Sequence, residues 1–322
     1  MARKIGERHR WGWLAAAETA VIAAELCRYN WISAAVGSAA VLLFHWYMNR
    51  TVWEKGAAEQ IAKIKVVGKA LLIISMICFE LLLVWAAVLA GKAFPASETS
   101  PLLGWILLGL AAWGSIKGAE ACAACSGVLS LFLLALYGVV AVFSVPDVNA
   151  EYLQIRGDGK EILQCIGYLM PAAIVWYLPG KKDVHNRKWD IAALLLVGAG
   201  VLSLITSGVL SPELVREVTV PLYVVAQSVS LFGVVERIEP LLSAAMTMGI
   251  FAMLSVIANG FNAAGNQIRP WKYYGVVSCV LAGGLMLAVK ETDALWPVLG
   301  SSGVGIILLI ASIAAGKRKS NY

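Results

Sequence analysis

The sequence predicts an all-α membrane protein with about ten transmembrane helices, a prediction that rests on its composition and its charge pattern. Of its 322 residues, 60% are hydrophobic and 14% are charged, whereas a soluble domain has about 25% charged residues. The mean hydropathy is +0.76, which is too apolar for a surface that faces water. Short basic clusters separate the apolar runs, as in the loops of membrane proteins. We therefore expect a single transmembrane domain over residues 1–322.

The apolar runs define the predicted helices. Ten segments are apolar, at 11–27, 31–48, 70–93, 102–116, 121–145, 161–178, 191–210, 240–264, 273–289 and 294–316. A spanning helix needs about 20 apolar residues, and the third, fifth, seventh, eighth and tenth segments reach that length. The other segments are short, so they either borrow flanking residues or cross the membrane incompletely.

The distribution of positive charge predicts the orientation. If every segment crosses once and the N-terminus is cytoplasmic, most of the 26 Lys and Arg residues lie on the cytoplasmic side, many of them in the 49–69 and 179–190 loops. Cytoplasmic loops of membrane proteins carry such an excess. We expect a multi-pass protein of the cell membrane with both termini in the cytoplasm. The net charge of +6 is explained by these loops, and we expect the lipid bilayer as a partner and no nucleic acid.

Two connections between the apolar segments are long. Residues 49–69 are basic and amphipathic, which predicts a helix along the cytoplasmic membrane surface. Residues 211–239 are moderately apolar with charges at both ends. We expect them to form a helical hairpin on the external face, because an eleventh crossing would place the basic C-terminus outside.

Three acidic residues lie well inside the apolar runs: Glu18, Glu25 and Glu80. An ionisable group at membrane depth costs a few kcal/mol or more, so it usually faces the bundle interior or a water-filled cavity. These residues are candidates to bind a substrate or an ion, which includes a cation, a proton or an ammonium group. For Glu18 and Glu25 the alternative is a first helix close to the interface, where they reach water. We expect Glu80 to point into the bundle and to have a polar neighbour from another helix.

Two amides are further candidates for substrate or ion binding. Asn259 and Asn262 lie in the eighth segment, where amides bind ligands or, more often, bridge helices. His45 is interpreted as a core or interface residue, and the Cys122–Cys125 pair as packing residues. The chain contains no nucleotide-binding, zinc-protease or serine-hydrolase motif. We therefore expect no enzymatic activity, no cofactor and no metal site.

Two stretches contain motifs of a known family. Residues 109–148 contain a Lys-Gly-x-Glu run and then Ser-Gly-x-Leu, and residues 220–252 contain a Pro, a Ser and then Glu-Arg-x-Glu. The matching positions are Lys117, Gly118, Glu120, Ser126, Gly127, Leu129, Pro221, Ser230, Glu236, Arg237 and Glu239. The chain here resembles the spore-germination permeases, which are the B-type subunits of nutrient germinant receptors. The two stretches cover about a fifth of the chain.

The resemblance implies membership of the amino acid–polyamine–organocation superfamily. It implies a divergent five-plus-five inverted-repeat fold, in which the first and sixth helices are broken and their free backbone groups bind the substrate. The first segment departs from this pattern because it has only Gly12 and no glycine in its middle. The sixth follows the polar loop 149–160, which we expect to replace much of its outer half.

The functional expectation follows from this resemblance. The chain is expected to be a permease-like subunit that senses or transports a small nutrient, such as an amino acid, in spore germination beside other receptor subunits. The alternatives are a non-transporting structural or assembly subunit of a membrane receptor complex and an unrelated ion-coupled transporter. The departures in the first and sixth segments favour sensing, and the buried carboxylates favour ligand or ion binding.

Overall fold

The computed structural model describes residues 5–52, 54–64, 67–93, 100–153, 157–181, 190–228, 238–289 and 295–319, most of which are helical. The α-helices are α1 (Glu7–Ala24), α2 (Trp31–Thr51), α3 (Gly56–Ala62), α4 (Gly68–Leu89), α5 (Ser100–Lys117), α6 (Ala119–Ser144), α7 (Gly159–Leu169), α8 (Asp190–Val209), α9 (Pro212–Glu217), α10 (Pro221–Ser228), α11 (Glu239–Ile268), α12 (Tyr274–Ala288) and α13 (Leu295–Lys319). Short 3-10 helices lie at Leu26–Arg28, Ala90–Ala93, Val145–Asp147, Ala150–Tyr152 and Met170–Tyr177. Two short strands, β1 (Ile5–Gly6) and β2 (Gly180–Lys181), pair in parallel.

The helices coincide with the predicted apolar segments. Five helical stretches are long and apolar enough to cross a membrane: Trp31–Thr51, Gly68–Leu89, Ala119–Asp147, Pro240–Ile268 and Trp296–Ala315. Shorter apolar helices cover Leu102–Lys117, Gly198–Val209 and Tyr274–Ala288. Large apolar side chains are exposed on several of these helices, as expected for surfaces in contact with lipid. The prediction of an all-α membrane protein is confirmed at this level, and the ten crossings and the inverted repeat stay predictions.

Helix α1 is the innermost helix of the bundle, since every residue from Arg10 to Cys27 is buried. It packs closely against α6, because a Cβ added to Gly12 would lie 2.6 Å from the Cα of Gly127. Small residues at such contacts let two helix backbones approach. Further along, the Tyr137 hydroxyl donates to the carbonyl of Thr19 at 3.1 Å. The order of these contacts means that α1 and α6 run in the same direction.

Helix α11 packs on another side of α1 and runs in the opposite direction. The indole N–H of Trp13 donates to the Ala252 carbonyl and the Ser255 hydroxyl, at 3.0 Å each. Nearer the end of α1, a Cβ on Gly249 would lie 2.8 Å from the Cβ of Ala20. These directions agree with single crossings in alternation, in which the first and fifth segments run one way and the eighth the other.

The sixth segment changes from an α-helix to a 3-10 helix in its middle. Helix α7 ends at Leu169 and the buried 3-10 helix Met170–Tyr177 follows directly. Pro171 explains the change, because proline has no N–H to donate to the carbonyl four residues earlier. That carbonyl belongs to Gly167, and it accepts a hydrogen bond from the Ser301 hydroxyl of α13 at 2.6 Å.

The 3-10 helix also corrects the expectation of a shortened sixth segment. A 3-10 helix rises about 2.0 Å per residue and an α-helix about 1.5 Å. The combined element from Gly159 to Tyr177 is therefore roughly 32 Å long, close to the thickness of about 30 Å of a hydrocarbon core. The polar loop precedes this element and does not shorten it below a membrane thickness.

The predicted surface helix over 49–69 is wrong in extent and in environment. Helix α2 continues to Thr51, and α3 is only seven residues long, with Gly56, Ala57, Ala58 and Ile61 buried. Gly56 has a φ of +71°, and a Cβ there would lie 2.6 Å from the Tyr177 carbonyl oxygen. The amphipathic pattern therefore reflects a short helix packed against the protein.

The long connection over 211–239 contains two short helices, α9 and α10. Extended residues around Val218 separate them. Neither helix is long enough to cross a membrane, so residues 211–228 do not form a continuous crossing. The remainder of the predicted hairpin, at 229–237, lies outside the described residues, and its external location stays a prediction.

Candidate functional site

A buried polar cluster joins the first, second and sixth segments. On α1, Glu18 is 0% exposed, and its Oε1 lies 3.2 Å from Nε2 of His45 on α2. The other ring nitrogen of His45, Nδ1, accepts a hydrogen bond from the Trp176 indole at 2.8 Å. All three side chains are fully buried. The cluster thus connects the innermost helix to the 3-10 helix of the sixth segment.

The indole determines the tautomer of His45. An indole N–H only donates, so Nδ1 of His45 must be an unprotonated acceptor. The single ring proton of a neutral imidazole then lies on Nε2, which donates to Glu18. His45 is therefore a neutral hydrogen-bond donor to the carboxyl group, and the pair is not an ion pair in this structure.

Trp176 also contacts residues at the start of α1. The ring of Trp11 packs edge-on against it with centroids 5.7 Å apart, and the Arg10 guanidinium lies 5.2 Å from its centroid. Arg10 also donates to the Leu178 carbonyl at 2.7 Å, next to the pairing of β1 with β2. The start of the first segment and the end of the sixth are thereby tied together.

Glu18 has one oxygen without a partner. Among the described residues, no hydrogen-bond donor or acceptor reaches Oε2, and the atom is buried. The alternative in which Glu18 reaches water near an interface is wrong, because α1 lies in the centre of the bundle. A buried carboxyl group with one neutral donor is a costly arrangement, which makes this position a candidate binding site.

Glu25 lies in a different environment from Glu18. It caps the C-terminal end of α1, is 3% exposed, and approaches Arg28 with 3.8 Å between Oε2 and Nη1. Near this pair the rings of Tyr29 and Tyr168 pack 6.1 Å apart. Burial raises the pKa of the Tyr29 hydroxyl to about 12. The alternative in which Glu25 reaches water is wrong, since the residue is buried near a cation.

Glu80 lies at the perimeter of the bundle. Its Oε2 accepts a hydrogen bond from the Ser278 hydroxyl of α12 at 2.5 Å, which confirms the polar neighbour expected from another helix. The residue is half-buried, whereas Ile77, one turn earlier on α4, is 58% exposed. Glu80 is therefore an interhelical contact near the outer surface, and it does not join the Glu18 cluster.

The two amides act as bridges. The Asn262 side chain donates to the Ser115 carbonyl at 3.3 Å and accepts from the Gly275 amide at 2.9 Å, which joins α11 to α5 and α12. Asn259 donates to the Ser255 carbonyl at 2.8 Å and approaches the sulfur of Cys122 at 3.7 Å. Both amides form hydrogen bonds inside the protein, and neither belongs to the Glu18–His45–Trp176 cluster. The bridging alternative describes them better than ligand binding.

Two open clefts exist elsewhere on the bundle. A cleft of about 390 Å³ lies between α2, α7 and α13, and one of about 320 Å³ lies between α2 and α8. Their linings are apolar and include none of the acidic candidates. Neither cleft offers a counter-charge for an ionic ligand.

His45 was interpreted from the sequence as a core or interface residue, and neither Trp176 nor Arg10 was a candidate site residue. A signal for His45 was present, because a histidine in an apolar segment is ionisable and falls under the same rule as the acidic residues. Trp176 had no local signal, since its role depends on the contact between the second and sixth segments. The described residues contain no group of three or more His, Cys, Asp or Glu placed to hold a metal ion.

No protein-family model matches the chain, and no curated protein sequence matches it.

Proposed function

We propose that the chain is a permease-like membrane protein that binds a small nutrient, with an amino acid as the leading class. The buried Glu18–His45–Trp176 cluster is the observation that supports this best. Membrane proteins seldom keep an ionisable residue at the centre of an apolar bundle without a functional use. The cluster joins the first and sixth segments, the two elements that form the substrate site in permeases of the inverted-repeat type.

The wider setting of this function is part of the same proposal. The resemblance of residues 109–148 and 220–252 to the spore-germination permeases supports a role in germination, next to other receptor subunits. Gly118 and Gly127 of that motif have structural roles here, since Gly118 has a φ of +101° between α5 and α6 and Gly127 contacts Gly12. In this proposal the protein is multi-pass in the cell membrane, with both termini cytoplasmic.

Sensing is favoured over transport by the form of the first helix. Helix α1 is continuous from Glu7 to Ala24, so it offers no free backbone groups in its middle. A carrier of this type uses broken helices whose free amides and carbonyls hold the substrate. The 3-10 helix of the sixth segment is also continuous with α7. An unbroken pair of helices fits a binding subunit that passes its signal to partner subunits.

Equilibrium binding to the purified protein tests this function. Each radiolabelled amino acid is added to the protein in lipid nanodiscs, and Glu18→Gln is compared with Glu80→Gln. We expect saturable binding of at least one amino acid, weakened about tenfold or more by Glu18→Gln, equivalent to about 1.4 kcal/mol. Glu80→Gln is the matched control and should bind as the wild type does. Absence of saturable binding for every amino acid would refute the proposal.

A further inference from the structure

The pairing of Glu18 with a neutral His45 raises the question of where the charge of the carboxyl group is balanced. Glu25 has Arg28 within 3.8 Å, and Glu80 is half-buried near the outer surface. Among the described residues, no Lys or Arg lies at that distance from Glu18, and Glu18 is 0% exposed. An ionised carboxylate there would be a buried charge with a single neutral donor, which is strongly unfavourable.

The surroundings of Glu18 bring no compensating charge. In the described part of the chain, His45 is the ionisable side chain that acts on Glu18. Tyr137 of α6 faces α1, but its hydroxyl donates to the Thr19 carbonyl. Arg10 lies two turns earlier and is directed to Trp176 and Leu178. The described side chains of α8, α10 and α11 include no acidic or basic residue.

A metal cation does not suit this position. Hard cations take several oxygen ligands, and the cluster supplies one carboxyl group and no further acidic side chain. The partially positive hydrogen on Nε2 of His45 also points at Glu18, which is unfavourable for a metal cation beside the carboxyl group. A proton needs only one oxygen, and Oε2 is the buried oxygen of Glu18 for which the described residues supply no hydrogen-bond partner.

We propose that Glu18 is a proton-binding site that holds its proton on Oε2 in the closed bundle. Binding adds one proton to the carboxylate and gives a neutral carboxylic acid, while Oε1 continues to accept from His45. Trp176 acts as a positioning residue, because it keeps Nδ1 of His45 unprotonated and so directs Nε2–H to Glu18. Release of the proton requires water or a cation to reach Oε2, so the protonation of Glu18 is coupled to opening of the bundle around α1. The inference rests on the proposed function only in placing this site at the nutrient-binding centre.

Spectroscopy without any nutrient tests the proposal. The chain has three histidines, so the His9→Gln and His185→Gln double variant leaves His45 as the only imidazole. Nitrogen-15 NMR of this variant in lipid at neutral pH should show the neutral imidazole with its proton on Nε2. Trp176→Phe, made in the same background, should remove the preference for that tautomer. A doubly protonated His45 would overturn the proposal, because the pair would then be an ion pair.

Infrared spectroscopy examines the carboxyl group itself. At neutral pH we expect a carbonyl band of a protonated carboxylic acid that Glu18→Gln removes and Glu80→Gln retains. A spectrum without a Glu18-dependent acid band would overturn the proposal. If Glu18→Gln does not fold, the acid band is measured in Glu80→Gln with Glu18 unchanged, and its absence there would overturn the proposal. Both measurements are made without nutrient, so loss of amino-acid binding and loss of the proton site are separate results.

Discussion

The indole N–H of Trp176 donates to Nδ1 of His45 across 2.8 Å, inside a bundle where both side chains are completely buried. This bond joins the 3-10 helix of the sixth segment to α2. It also sets the proton of His45 on the side of Glu18. The geometry of the whole cluster therefore depends on one donor.

Removing that donor should weaken the fold. Trp176→Phe leaves Nδ1 of His45 buried without a partner, which costs about 1–2 kcal/mol. Unfolding in mixed detergent micelles measures the free energy, and His45→Phe and the double variant complete a mutant cycle. We expect the two single changes to be non-additive. Additive losses would show that the two side chains do not interact.

The contact between Gly12 and Gly127 predicts a large effect of a single methyl group. A Cβ at Gly12 would lie 2.6 Å from the Cα of Gly127, whereas a Cβ at Gly109 meets nothing within 4 Å. Gly12→Ala should therefore destabilise the protein by about 1–3 kcal/mol through overpacking. Gly109→Ala is the matched control and should be neutral or stabilising by up to about 1 kcal/mol. Equal thermal stability of the two variants would contradict the close packing of α1 on α6.

The hydrogen bond from Ser301 to the Gly167 carbonyl predicts that Pro171→Ala reduces the stability lost by Ser301→Ala. Ser301→Ala removes the donor and should cost about 1–2 kcal/mol. In a Pro171→Ala background the new backbone N–H is able to bond the same carbonyl, because an α-helix then continues across this position. The loss caused by Ser301→Ala should be smaller there. An equal loss in both backgrounds would mean that proline does not cause the change to a 3-10 helix.

The predicted orientation is tested by labelling from outside the cell. Lys181 and Glu151 are exposed residues of the described structure that the charge pattern assigns to opposite sides. On a background without native cysteines, Glu151→Cys should react with an impermeant thiol reagent in intact cells, and Lys181→Cys should react only after permeabilisation. Labelling of Lys181→Cys in intact cells would refute a cytoplasmic 179–190 loop.

The sequence was most informative where a feature is local. Apolar length located the long helices of the described residues, and the break between α5 and α6 falls in the gap between the fourth and fifth apolar segments, where Gly118 has a φ of +101°. How deeply a helix is buried could not be predicted from local sequence, because burial depends on the packing of distant segments. The first segment is rich in alanine, and its alanines are fully buried because small side chains permit close contact on several sides.

The candidate site was predictable only in part. Glu18 was identified from its position in an apolar segment, and the sequence distinguishes Glu25, seven residues later, only by the nearby Arg28. The difference arises from α2 and the sixth segment, which place His45 and Trp176 beside one carboxyl group, and from Arg28 beside the other. Pro171 explains in retrospect why the sixth segment changes its helical form, but its compensating partner Ser301 lies 130 residues away in the chain.

Uptake and binding in the same reconstituted vesicles test the central proposal most directly. Purified protein without partner subunits is placed in lipid vesicles, and radiolabelled amino acid bound to protein is separated from label accumulated inside. We expect saturable binding that Glu18→Gln weakens about tenfold or more, together with no accumulation, because α1 is unbroken. Robust, saturable accumulation by the chain alone would contradict the sensing role and establish a transporter.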